Sequence, residues 1–144
     1  MKLTIELVPK SSWYSNVRSC VSKMEWDTIR HKCYKKANYK CEICGEVGKI
    51  HPVECHEIWK FDDKNEIQKL VGLISLCPNC HKTKHVGLSQ VRGEIEIVIT
   101  QLNKVNNMNR KEALSYINEA FKIWRKRNLI KWELDIDYLK EYLR

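Results

Sequence analysis

Apolar positions recur along the chain with two different periods, and the change of period organises it. From Met24 to Ala37, Trp26, Ile29, Cys33 and Ala37 fall at helical spacing with Arg30 and Lys32 between them, which predicts an amphipathic helix. Residues 89–106 place Ile95, Val98, Ile99, Leu102 and Val105 on one stripe, with Ser89 as a candidate cap. That predicts a helix, while the Glu94–Ile99 portion also alternates like a strand. Residues 110–127 give a clearer helix: Asn109 can cap it and Glu112 completes a capping box. Leu114, Ile117, Phe121 and Trp124 form its expected buried stripe, and it ends in Arg125-Lys126-Arg127. The tail, 131–144, is amphipathic and is expected to pack back on the rest.

The middle of the chain reads differently. Val53–Trp59 is a predicted strand bounded by Pro52 and the polar run Asp62-Asp63-Lys64-Asn65, and Leu70–Leu76 is a second. Cys77-Pro78-Asn79-Cys80 follows, then a helix expected to begin at His81. On it His81 and His85 lie four apart, so both imidazoles leave one face. The reading is an α+β protein in one compact domain. A basic, aromatic helical segment (1–38) precedes a strand–strand–helix core (39–88), and a helical segment (89–144) follows.

Cysteine spacing changes the picture most. Cys41-x-x-Cys44 and Cys77-x-x-Cys80 each offer two thiolates one tight turn apart, and two such pairs supply the four soft ligands of a closed tetrahedral structural zinc site. The gap between them exceeds the roughly 15–20 residues of a plain zinc ribbon and contains Cys55-His56-Glu57. Cys55 reads equally as a small buried residue or a ligand; Cys20 and Cys33 are expected in the core, as are Trp13, Trp26, Trp59, Trp124 and Trp132. His31 and His51 read as incidental.

Composition sets the frame for that chemistry. At 144 residues with 43% hydrophobic content the chain is an ordinary globular domain in size and make-up. No apolar run approaches the roughly 20 residues of a membrane span, and Met1-Lys2-Leu3 does not open a signal peptide. The expectation is a cytoplasmic protein with no membrane partner, in whose reducing surroundings the cysteines favour metal binding over disulfide pairing. A formal net charge of +8 favours a polyanionic partner, DNA first and RNA next.

Three stretches taken together, Cys41-Glu42-Ile43-Cys44-Gly45, Glu54-Cys55-His56-Glu57-Ile58 and Leu76-Cys77-Pro78-Asn79-Cys80-His81 through His85, resemble the HNH endonucleases, the ββα-metal family, in its four-cysteine form. The resemblance covers residues 37–88. It implies a metal-dependent DNA endonuclease. His56, in the first strand, takes the place of the general base that draws a proton from water as it attacks the phosphodiester phosphorus. Cys55 stands where the family carries an Asp or His ligand to a catalytic metal. His81 and His85 supply the other ligands, and Glu57 is an alternative to Cys55. That second divalent metal is magnesium, manganese or zinc, a cysteine ligand suiting zinc best. The family's middle Asn falls near Gly72, with Asn65 or Gln68 able to substitute after a loop shift. Lys32, Lys35, Lys36, Lys40, Lys82 and Lys84 are the candidate phosphate contacts. Two other readings stay open: a zinc module that binds nucleic acid without cutting it, and a protein-interaction module.

Overall fold

The computed structural model describes residues 2–12 and 16–143. Trp13 and Tyr14 therefore lie outside the described residues. The long helix expected from Met24 forms as α2, Lys23–Lys36, preceded by a single turn, α1, Val17–Cys20. Ser22 caps α2 by accepting from the Glu25 backbone, while the Glu25 carboxylate accepts from the Ser22 backbone, a full capping box. The two predicted strands are longer than their apolar stretches: β1 is Glu54–Asp62 and β2 is Ile67–Leu76. They pair antiparallel, with Cys55 opposite Ser75 and His56 opposite Ile74. The register shifts between Ile58 and Trp59, where Val71 is the extra residue.

Helix α3, Pro78–Lys84, begins within the second cysteine pair and not at His81. Cys77 is its N-cap and Pro78 occupies the first turn, where a missing N–H costs nothing. The helix expected over 89–106 is two helices, α4, Val86–Val91, and α5, Ile95–Asn106. Gly93, at φ +71°, turns the chain between them. Ser89 is consequently inside α4, where its hydroxyl donates to the Lys82 carbonyl at 2.7 Å, and is no cap. Helix α6, Arg110–Arg127, has the predicted Asn109–Glu112 capping box. Its buried line is Ala113, Ile117 and Ala120, while Leu114 stays exposed. The tail does pack back. β3, Glu133–Asp135, adds parallel to β2, and α7, Leu139–Tyr142, docks through Leu139.

Two apolar clusters form, one on each face of the hairpin. Ile29 and Cys33 of α2 pack with Leu70, Leu73, Val17 and Leu139 on one face. On the other, Ile74 and Leu76 join Cys80, Val86, Val98, Leu102, Ala113 and Ile117. Leu3 and Ile5 enter this second cluster, so the start of the chain packs with its C-terminal helices. The backbone there is tied by Leu3 N–H donating to Asn106 Oδ1 at 2.9 Å, Ile5 N–H to the Tyr116 hydroxyl, and Trp124 Nε1–H to the Val8 carbonyl. Among the described residues no helix is long and apolar enough to cross a membrane.

Candidate metal centres

The first centre is built from backbone turns. In each pair the leading sulfur accepts a backbone N–H three residues on: Cys44 N–H donates to Cys41 Sγ and Cys80 N–H to Cys77 Sγ, both at 3.5 Å. Gly45, at φ +79°, closes the first turn, its N–H donating to the Cys41 carbonyl at 2.9 Å. The four sulfurs of Cys41, Cys44, Cys77 and Cys80 all lie within 4.8 Å of one another, and this group can hold a metal ion. Cys44 Sγ and Cys77 Sγ are 3.5 Å apart, close to the ~3.8 Å that tetrahedral ligation at about 2.3 Å per Zn–S bond requires. Gln101, buried on α5, donates from Nε2 to Cys80 Sγ at 3.1 Å, a partner that spacing alone does not disclose.

The protonation chemistry fits a cation at this centre. Hydrogen bonds from Cys77 and Cys80 hold the Cys41 thiol well below the usual thiol range. The same contacts with Cys41 push Cys77 up to about 11 and Cys80 upward as well. Four sulfurs this close resist ionising together, and a soft cation removes that conflict.

The second centre lies on the α3 face of the hairpin. His56 from β1 meets His81 and His85 from α3, and one ring nitrogen from each lies within 4.8 Å of the others, a second group able to hold a metal. His81 Nε2 and His85 Nε2 are 3.1 Å apart, against ~3.3 Å for two nitrogens bound tetrahedrally at about 2.0–2.1 Å. His85 lies at the exposed rim and the other two rings are partly buried. Burial, then the neighbouring His85 and His81, drives the His56 pKa well below the imidazole range. Desolvation by the surrounding side chains, then His81, lowers His85 to about 4. Both are thus neutral at pH 7, the form that ligates.

Strand alternation decides which sequence candidates join this cluster. His56 faces α3, so Cys55 and Glu57 face α2. Cys55 packs beside Cys33; that contact and burial raise its thiol pKa steeply. Glu57 accepts from Val17 N–H at 3.0 Å and Trp59 Nε1–H at 3.2 Å, and burial raises its pKa. Neither Cys55 nor its alternative Glu57 reaches the histidines. His56 is itself one of the three clustered imidazoles and is not set apart from them as the resemblance to a general base implies. Asn65 donates to Asp62 in the hairpin turn, and Gln68, fully buried, accepts from Ser12, so neither replaces the missing Asn near Gly72. Cys20 is exposed and outside the core.

Two residues not counted toward the site belong to it. Glu54, also on the α3 face of β1, accepts from His81 at Nδ1 through one carboxylate oxygen and contacts His51 Nε2 at 2.6 Å through the other. The His81 contact, reinforced by His51 against the opposing effect of burial, holds the Glu54 carboxyl down at about 2.

The candidate phosphate contacts do not gather at the histidines. Lys82 pairs with Glu94 at 2.6 Å, and the largely buried Lys84 binds Thr4 and Glu6. Lys32, on α2, donates to the Tyr142 carbonyl. Lys35 and Lys36 at the end of α2, and Lys40 just beyond it, are exposed; α2 itself covers the opposite face of the hairpin. Comparison with protein-family models, curated proteins and solved structures found no match.

Proposed function

We propose that this chain is a metal-dependent phosphodiester hydrolase of HNH type acting on DNA. The observation that carries the reading is the meeting of His56, His81 and His85 across a β-hairpin and its following helix, next to a four-cysteine centre. Closed four-ligand sites are structural, whereas three protein ligands with an open side are the catalytic pattern. The cysteines serve the first role and hold zinc. The histidines serve the second, with His85 at the open rim. A divalent cation bound there supplies Lewis acidity towards a phosphoryl oxygen.

The chain's own residues have distinct tasks in this reading. His56 ligates, which takes it out of the general-base role that the family resemblance implies. The cysteine centre fixes the start of α3 and with it the positions of His81 and His85. Net positive charge draws the polyanion to the molecule.

A second reading, a nucleic-acid-binding zinc module without cleavage, is favoured by one observation. With His56 among the three clustered imidazoles, the general base that the resemblance implies does not stand free at the cluster. Nicking of supercoiled plasmid with magnesium, manganese or zinc separates the two. The nuclease reading expects cleavage that His56→Ala and His81→Ala each reduce by about 10²-fold or more, with loss of the second metal in both variants. DNA binding without cleavage under every metal selects the binding module. Cleavage lost in His56→Ala with the second metal retained returns His56 to the role of base.

A further inference from the structure

We propose that Glu54 is a positioning residue for the histidine centre, fixing His81 in the tautomer and orientation that present Nε2 to a cation. The inference rests on the reading that the three imidazoles hold a metal. It does not depend on catalysis.

The geometry is a chain of contacts. Glu54 stands on β1, two residues before His56, so both side chains point at α3. Its carboxylate accepts from His81 Nδ1. A carboxylate has no proton to give at neutral pH, so the proton in this contact sits on Nδ1 and the lone pair is on Nε2. Nε2 is the atom that lies 3.1 Å from His85 Nε2. The other Glu54 oxygen meets His51 Nε2 at 2.6 Å, which stops the carboxylate from rotating away. The neighbouring acids are committed elsewhere, Glu94 to Lys82 and Glu6 to Lys84. Carboxylates that hold the far nitrogen of a ligating imidazole fix its ring and raise its basicity, and their loss typically costs about 10–100-fold in metal affinity.

Two measurements test this on the full chain with its cysteine centre loaded with zinc. Long-range 15N–1H correlation spectra of the histidine rings read the tautomer directly. His81 is expected as Nδ1–H in the parent chain, and Glu54→Ala should convert it to Nε2–H or a mixture. Cobalt(II) titration followed by its visible ligand-field bands reads the second site. Glu54→Ala should weaken that site by about 10–100-fold with band positions unchanged. Glu54→Gln, which keeps an acceptor for Nδ1–H, should lose less, and His51→Ala should lose less than Glu54→Ala. An Nε2–H His81 in the parent chain overturns the proposal, as does cobalt affinity unchanged in both Glu54 variants. So does a band shift in Glu54→Ala that signals a lost ligand, since Glu54 is then itself in the coordination sphere. If Glu54→Ala fails to fold, Glu54→Gln decides between the first two outcomes. Uptake of no cobalt by the parent chain beyond the zinc centre instead overturns the metal reading beneath.

Discussion

Single residues make up the candidate metal centres, and each can be tested by substitution. Cys44→Ser removes one of four ligands from a centre whose binding free energy is part of the folding free energy. The expected result is loss of stoichiometric zinc and of cooperative melting, read by metal analysis and circular dichroism. Gln101→Leu is subtler. It keeps the volume but removes the 3.1 Å donor to Cys80 Sγ, and a zinc affinity about 10–100-fold weaker in chelator competition is expected. The cysteine set was legible in the sequence because each pair is ligated by its own turn and depends on nothing distant. His81 and His85 come together as expected, and His56 joins their cluster where the family resemblance sets it apart as a base. Facing Cys55 away from His56 follows from strand alternation, yet a family motif read linearly places both at one site. Glu54 and His51 gave no signal, because their partnership forms only when the loop before β1 folds against α3.

At the scale of elements, local rules did well where the chain signals its own boundaries. The capping boxes of α2 and α6 fix their starts. Asn109→Ala should therefore destabilise by about 1 kcal/mol, measurable by urea denaturation. The break between α4 and α5 was missed because Ile95, Val98, Ile99 and Leu102 share one stripe with what precedes them, and Gly93 was the only punctuation. The extended segment at Leu3 and Ile5 was missed for the opposite reason. It is too short to show a period, and only its docking beside α5 and α6 gives it order. Leu102, fully buried in that cluster, should cost about 2–5 kcal/mol when truncated to Ala; a melting shift without change in zinc content is the expected signature.

Over the whole molecule, the C-terminal end of α2 and the histidine cluster lie on different faces of the hairpin. The exposed lysines Lys35 and Lys36 form the last turn of α2, which packs on the Cys55 face of the hairpin, while the histidines lie on the α3 face. A nucleic acid held by both must pass around the sheet edge. DNA affinity should fall with salt at a log–log slope of about −0.9 per phosphate neutralised on duplex. The double variant Lys35→Glu, Lys36→Glu should flatten that slope while leaving both metals bound. Fluorescence anisotropy across a salt series reads the slope, and an unchanged slope removes α2 from the nucleic-acid contact.

Helix α3 has only seven residues, with Cys77 as its cap, Cys80 in its first turn and His81 immediately after. One short helix therefore contributes residues to both candidate centres. Under the proposed function, zinc at the cysteines orders the two α3 histidines in advance, and a cation at the histidines is expected to tighten zinc by the same factor, which zinc titration with and without cobalt measures. The expected coupling is about 1–3 kcal/mol, enough for scarcity of one metal to be felt at the candidate site of the other.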